Sequence, residues 1–550
     1  MDFEAGFLLT GQAIAAFLLG AFLWWRLKAY LLFFQQEEYD RQRFRRWLNA
    51  AGARDRAASL LIALGAWIGF AAAFGFAWSA YVLLALLILG LLEGLRRSRR
   101  PLRGAKKPLV MTARAWRLHL AATALGLLLA FALWAAAASA GGAELALALS
   151  ALVTAQAAPY LLIVADRLLA PIEGRVKRRY RQEAEQKLAR LDPFVIGITG
   201  SYGKTTTKHI LAHILSSAAP TLATPGSVNT EMGITRVIRD SLAPHHRYFI
   251  VEMGAYGPGS IARLCRFTPP KLGIITAVGW AHYERFKTID AVFDAKFEMA
   301  DAVAENGGRT VVNADGVPQE RLDSRLKETS RDLILAGQNP EAAFRLRSIR
   351  QTPEGIALKL REKGGSDVAF TVPIYGAHQA ANILAAVAAA RELGMPMEQI
   401  KAALASCPQV RHRLEVYRSG KIMVIDDAYN ANPIGFVSAL EVLEVLKKAE
   451  GGRGVLITPG MVELGDKHDE EHAWLGEAAA RAVDIALVVT PGRIDSFVSA
   501  FERAADSGTA LFRFDRQAEA EAWLKANAQP GDVVVFENNL PDLYESRPAF

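Results

Sequence analysis

The chain has 550 residues, a formal net charge of +8, a mean hydropathy of +0.14 and a hydrophobic fraction of 51%. That length holds three or four domains, and the hydropathy is high for a purely soluble enzyme. Only two cysteines occur, Cys265 and Cys407, which excludes a disulfide framework and a four-cysteine zinc site.

Apolar runs at about 6–25, 58–75, 77–94, 118–139 and 144–165 predict about five membrane-spanning helices over 1–170, because about 20 apolar residues cross ~30 Å of hydrocarbon as a helix. The segment between the first two runs is rich in arginine. "RRSRRPLRGAKKPLVMTARAWR", between the third and fourth, has no acidic residue, and "EGRVKRRYRQ" follows the fifth. The connections near Ser79 and at Gly141–Gly142 carry almost no charge. Basic loops stay on the cytoplasmic side. This pattern predicts a multi-pass protein of the cell inner membrane, its N-terminus outside and its catalytic part in the cytoplasm. No basic segment precedes the first run, so it does not read as a cleaved signal peptide. The positive charge lies beside the bilayer, where its expected partner is anionic lipid and not nucleic acid. No pair of opposite charges is expected inside the spans to support a channel. Residues 171–192 read as a charged helical stem, a spacer between membrane and enzyme.

From 193 onward, short β-rich runs alternate with amphipathic helices. The fold class expected is an α-helical membrane region plus α/β: a phosphate-loop (P-loop) ATPase central domain with a mostly parallel sheet over 193–410, and a Rossmann-like C-terminal α/β domain over 411–550. "FVIGITGSYGKTTTKHIL" places strand, glycine turn and helix in succession. Gly200 and Gly203 let backbone N–H groups turn toward phosphate oxygens, and the helix N-terminus adds partial positive charge. Ser201 and Thr206 flank the turn, Lys204 reaches toward the β- and γ-phosphates, and Thr205 suits Mg²⁺. The spacing departs from G-x-x-x-x-G-K-[ST], since the upstream glycine is at 197 and not 198. Glu252 ends the run "YFIVEMGA", a place that suits a metal ligand or an ordinary salt bridge. By themselves, His282 reads as a polar loop residue and Lys296 as a solvated helix charge.

Six segments occur in a telling order: "TGSYGKTTTK", "VEMGAYGPGSI", "AHYERFKTIDAVFDAKFEM", "YGAHQAANILAA", "RLEVYRSGKIMVIDDAYNANP" and "MVELGDKHDEEH". Together they resemble the Mur ligases over about 193–550. The resemblance implies an ATP-dependent carbon–nitrogen ligase of cell-wall peptidoglycan biosynthesis, acting through an acyl phosphate with ATP and Mg²⁺. It implies catalytic roles for Lys204, Glu252, His282 and Lys296. The metal ligands would be Thr205, Glu252 and His282, supported by Lys296 as its carbamate. Asn382 would meet adenine, Arg413 the phosphates, and Asp427 and Tyr429 the nucleotide, with Asn430 and Asn432 shaping their loop. Ser227, Asn229 and Thr230 would touch the muropeptide acceptor. Glu298 is secondary, His378 caps a helix, and His472 is structural.

Two departures bear on the substrates. In the resembled family a domain that holds UDP stands where this chain has its apolar runs. A lipid-linked muropeptide, or another peptide acceptor at the membrane face, is therefore expected in place of a UDP-sugar. Near the end, "GDVVVFENNLPDLYE" replaces a "GDxVLxKGS"-like stretch that meets the amino acid or peptide donor, so that Glu537 and Asn539 stand near the lysine and serine positions. A different donor is expected, one without a carboxylate facing this point. The competing readings are a ligase for another polymer such as polyglutamate, and a P-loop transport ATPase. "AKFEM" and "DDAYNANP" argue against the ATPase.

Overall fold

The computed structural model describes residues 2–50, 55–70, 76, 78–104, 108–141, 143–279, 286–329, 332–429, 432–462 and 464–538. They fall into two compact units, one within Met1–Val176 and the other within Lys177–Asn539.

The first unit is helical: α1 (Asp2–Gln36), α2 (Arg41–Ala50), α3 (Ala57–Phe70), α4 (Trp78–Gly104), α5 (Ala113–Gly141) and the start of α6 (Ala143–Leu191). Four of these, α1, α4, α5 and α6, are long and apolar enough to cross a membrane. α3 has 14 residues, a rise of about 21 Å at 1.5 Å per residue, short of a full crossing. The five expected spans thus become four long helices and one short apolar helix, because the run at 58–75 continues into 71–75, outside the described residues. α3 lies close on α4: a Cβ at Gly69 would meet Leu83 Cδ1 at 2.0 Å, and one at Gly90 would meet Ala58 O at 3.1 Å.

The expectation of no opposite charges inside this region needs correction. The first apolar run stops at 25, but α1 continues to Gln36 and carries Arg26 into the interior. Arg26 lies 2.6 Å from Asp55, with both side chains fully buried. Its Nε donates to Ser98 Oγ at 2.9 Å, and Gln156 Nε2 donates to the Asp55 carbonyl at 2.6 Å. Charges buried this way persist only with such partners.

α6 runs 49 residues through Pro159 and Pro171. Its last turns belong to the second unit and are not a free spacer. Ala184 and Leu188 are buried in one cluster with Ile234 and Ile238. Lys187 Nζ donates to the Arg239 carbonyl at 2.8 Å, and Arg239 pairs with Glu183 at 3.1 Å and lies 3.9 Å over the Tyr180 ring.

The second unit holds two sheets. The strands of the first are β1 (Phe194–Thr199), β2 (Thr221–Ala223), β3 (Tyr248–Glu252), β4 (Leu272–Ile275), β5 (Arg309–Asn313), β6 (Leu333–Gly337), β7 (Phe344–Thr352), β8 (Gly355–Glu362) and β9 (Asp367–Val372). Their order is β2-β3-β1-β4-β5-β6-β7-β8-β9, parallel as far as β7 and antiparallel beyond it. β1 and β3 read as near-continuous apolar runs because helices cover both faces of the sheet. On one face lie Ile210, Leu211 and Ile214 of α7 (Lys204–Ser216) and the alanine-rich helix Gln379–Glu392. On the other lie Ile261, Leu264 and Met299. β1 sits between β3 and β4, so the chain order reverses at its carboxyl end, where α/β sheets open a ligand crevice.

The second sheet comprises β10 (Glu415–Ser419), β11 (Ile422–Asp427), β12 (Gly454–Thr458), β13 (Ile485–Val489), β14 (Ala510–Phe514) and β15 (Val533–Glu537), in the order β10-β11-β15-β12-β13-β14. Only β10 is antiparallel. The last strand in sequence enters the middle of the sheet, so Glu537 pairs in register with Asp427.

Candidate active site

The turn after β1 is built for close approach. Gly200 has φ +151°, and a Cβ there would stand 2.0 Å from Thr276 Oγ1. Gly203 has φ +80°, and a Cβ there would stand 2.2 Å from Asn382 Oδ1. Any other residue would be strained at either position and would fill the cradle. Gly203 precedes α7 and no side chain caps that helix, so its first N–H groups point into the crevice without a side-chain acceptor. Ser201 Oγ exchanges hydrogen bonds with the backbone of Gly279, 3.0 Å each way.

Lys204 Nζ folds back onto the carbonyls of Gly200, 2.6 Å away, and Ser201, 3.1 Å away. Burial brings its ammonium down to about 8, with Glu252 opposing and Arg413 and Lys208 adding to the shift. Thr205 and Thr206 are buried on the first turn of α7.

Glu252 ends β3 with 1% exposure. It accepts from Thr205 Oγ1 at 2.9 Å, Lys208 Nζ at 2.8 Å and Asn229 Nδ2 at 3.1 Å. Burial pushes its carboxyl up, but Lys208, Lys204 and the hydrogen bonds from Lys208 and Asn229 outweigh that and hold it below the usual range. Lys208 also donates to the Gly226 carbonyl. Neither Lys208 nor Tyr256, whose hydroxyl donates to Asn229 Oδ1 at 2.9 Å, was among the residues expected from the sequence. The signal for Lys208 was present: it follows Lys204 by four positions, one turn on the same helix face.

Lys296 lies on the helix Ile289–Glu305 with 3% exposure. Burial and the charge of Lys204 drive its pKa well below that of an ordinary lysine, against the pull of Glu298. It is therefore not a solvated helix charge. Glu298 itself accepts from the backbone N–H of Gly259, 2.6 Å, and Ala262, 2.9 Å, at the start of the helix Ser260–Phe267. His282 and Asn430 fall outside the described residues.

Asn382 sits against the turn, accepting from Thr207 Oγ1 at 3.2 Å and donating to Gln379 at 2.6 Å. His378 is not a side-chain cap of its helix; burial brings its imidazole down to about 4. Arg413 reaches across to the first sheet, 3.4 Å from Thr205 Oγ1 and 3.5 Å from Ser227 Oγ, with its guanidinium 4.9 Å over the Tyr429 ring. Asp427 accepts from Leu414 N–H at 3.1 Å, and burial raises it to about 6. Thr230 uses its hydroxyl to cap the helix Glu231–Ser241 through Gly233 N–H at 3.3 Å, and Asn432 caps Pro433–Glu450 through Gly435 N–H at 3.0 Å. His472 accepts from Met461 N–H at 3.0 Å and sits 2.7 Å from the His468 carbonyl. Burial takes it down to about 4, as suits a neutral structural imidazole.

Lys204, Thr205, Glu252, Asn229, Ser227 and Arg413 therefore meet at the carboxyl edge of the first sheet, and Asp427 and Tyr429 approach from the second. A cleft of about 500 Å³ lined by His412, Tyr417, Asp426 and Phe536 is separate from this cluster. It includes Asp426, whose side chain alternates with that of Asp427 across β11.

Residues 198–390 match the Mur ligase middle domain, and residues 412–537 match the Mur ligase, glutamate ligase domain. The UDP-N-acetylmuramoyl-tripeptide–D-alanyl-D-alanine ligase of Mycobacterium tuberculosis (strain CDC 1551 / Oshkosh) is 35% identical over 369 residues, covering 62% of this chain and 69% of the relative. The chain belongs to the Mur ligase family. The enzyme of the same name from Escherichia coli K12 is 32% identical to this Mur ligase over 340 residues, covering 62% and 71% of the two chains. Among solved structures, MurF from Acinetobacter baumannii is similar with a TM-score of 0.56 and 27% identity over 66% of this chain and 77% of that one. MurF from Thermotoga maritima in complex with ADP is similar with a TM-score of 0.55 and 27% identity, covering 68% and 82%. This Mur ligase is an ATP-dependent peptide ligase with an added N-terminal region of apolar helices, compatible with membrane anchoring.

Proposed function

We propose that this Mur ligase joins an acceptor carboxylate to an amine donor at the cytoplasmic face of the inner membrane, through an acyl phosphate made from ATP. The observation that carries this reading is the pairing of the Gly200–Thr205 turn with Glu252 at one sheet edge. The crevice offers backbone N–H groups and the Lys204 and Arg413 cations to three negative participants: triphosphate, carboxylate and tetrahedral oxyanion. Such fixed charges are the main means of stabilising acyl and phosphoryl transfer.

An acceptor carboxylate oxygen attacks the γ-phosphorus, and ADP departs with the electron pair of the broken P–O bond. Lys204 exchanges its loop carbonyls for phosphate oxygens in this step. The donor nitrogen, as the free amine, then attacks the carbonyl carbon. The C–N bond forms, the C–O bond to phosphate breaks, and phosphate leaves with its electron pair and takes up the proton the nitrogen loses. Thr205 and Glu252 offer hard oxygen ligands that fit Mg²⁺, with His282 as a further proposed ligand. Bound there, Mg²⁺ would neutralise the phosphate charge. Lys296, buried and held toward its neutral amine, is suited to take up CO₂ as a carbamate, releasing one proton. Gly200, Ser201, Gly203, Thr206, Asn382, Asp427 and Tyr429 would surround the nucleotide, and Ser227, Asn229 and Thr230 the acceptor.

The relatives' names point to a UDP-muramoyl-tripeptide acceptor. Here the matched region begins at 198, behind apolar helices whose connecting segments are basic. A muropeptide already linked to a membrane lipid would meet a ligase anchored this way, with basic loops inside and the N-terminus outside. The test uses purified full-length protein in lipid nanodiscs with ATP, an amine donor, and UDP-linked or lipid-linked acceptors, with products read by mass spectrometry. Preferential extension of the lipid-linked acceptor is expected. Exclusive use of the UDP-linked form would end the membrane-acceptor reading, and ADP release in the absence of any acceptor would end the ligase reading.

A further inference from the structure

Glu537 ends β15 at the carboxyl edge of the second sheet. It is 1% exposed, and neither carboxylate oxygen has a hydrogen-bond partner among the described residues. Its backbone is pinned from the next residue: Asn538 N–H donates to the Asp427 carbonyl at 3.1 Å, and Asn538 Nδ2 donates to the Gly460 carbonyl at 2.7 Å. Among the described residues, the charge acting on it is a like one, Asp427, its register partner on β11. Asp427 is half-buried and adjoins the nucleotide side, since Leu414 N–H binds it and the neighbouring Arg413 reaches Thr205.

An acid held this way, with a second acid at its shoulder, lacks the cation that would offset both desolvation and repulsion. Amide ligation brings four participants to the crevice that Asp427 adjoins. The phosphates of ATP, the acceptor carboxylate and the acyl phosphate are all anionic, and the acids repel them, although Asp427 can still accept from a nucleoside hydroxyl. Only the amine donor is positive. A divalent metal would require more oxygen ligands than two carboxylates supply. We infer that Glu537, backed by Asp427, recognises a positively charged group of the amine donor, so that the preferred donor is dibasic and presents no carboxylate there. This rests on the ligase reading above and specifies its donor class.

The experiment uses the full-length protein in nanodiscs with ATP, the acceptors named above and three donors. D-alanyl-D-alanine has an anionic end, D-alanyl-D-alanine amide a neutral one, and D-alanyl-D-lysinamide a cationic one. A parallel assay omits the donor and traps the acyl phosphate with hydroxylamine as a hydroxamate, which reads the first half-reaction alone. The lysinamide is expected to lead D-alanyl-D-alanine in kcat/KM by at least about tenfold, with the neutral amide between them. Glu537→Gln should reduce that ratio to near unity while hydroxamate still forms, and Glu537→Lys should favour the carboxylate donor. Hydroxamate formation together with a preference for D-alanyl-D-alanine or the neutral amide, or an unchanged order in Glu537→Gln, overturns the donor inference and leaves the ligase reading intact. No hydroxamate with either acceptor overturns both.

Discussion

Glu252 and Glu537 are the same residue in the same kind of place. Each ends a strand in the parallel part of its sheet, and each is 1% exposed. Their surroundings are opposite. Glu252 has Lys208, Thr205 and Asn229 around it and is held below the usual carboxylate range. Among the described residues, Glu537 has no hydrogen-bond partner and the charge acting on it is that of Asp427, and burial pushes it well above that range. Strand position brings an acid to a crevice. What that acid can do there is set by the charges that other elements aim at it.

The largest expected effect comes from making the two alike. Lys208→Met strips Glu252 of its ion pair and leaves a buried carboxylate with neutral donors only. Breaking such a pair costs about 3–5 kcal/mol, to be measured by urea denaturation of the detergent-solubilised chain. A loss under about 1 kcal/mol would mean that the Thr205 and Asn229 hydrogen bonds suffice and that the two sites differ less than their geometry implies.

The pH dependence sharpens the contrast. Glu252 has a lowered folded pKa, so its stabilisation is present above the unfolded value of 4.5 and is lost as pH falls through the folded one. For Glu537 the folded pKa is raised, so stability drops as pH climbs from 4.5 toward that value. Glu537→Gln should therefore raise the thermal midpoint at pH 7.5 and have little effect near pH 4. An equal effect at both pH values would mean that the carboxylate is not the source of strain.

The smallest effect lies one residue further out. Tyr256→Phe removes the hydroxyl that holds Asn229 against Glu252, a net cost of about 1 kcal/mol. A rise in the KM for acceptor with kcat nearly kept would mark Asn229 as an acceptor contact, whereas equal losses in kcat and kcat/KM would mark it as a support of the metal site.

Much of this was legible in the chain. The turn at Gly200–Thr205 announces itself by glycines where the backbone must reverse between strand and helix, and the strands FVIGIT and YFIVE carry their burial in composition. Other features were not. Lys296 reads as a surface charge until the packing of its helix shows it buried beside Lys204. Thr230 reads as a polar acceptor contact, and only the fold shows that its hydroxyl also caps a helix. Segment 171–192 reads as a spacer, yet Leu188 is buried in the core.

The sequence alone determined the glycine turn after the first strand, the apolar helices and the family, because these depend on neighbours along the chain: periodicity, run length, and glycine where the backbone must turn. Only the tertiary structure decided which charges meet. Arg26 finds Asp55 across 29 positions, Lys208 finds Glu252 across 44, and Glu537 comes beside Asp427 across 110. Electrostatic energy depends on distance in space and on the water excluded between groups, and neither is written in the spacing of residues along the chain.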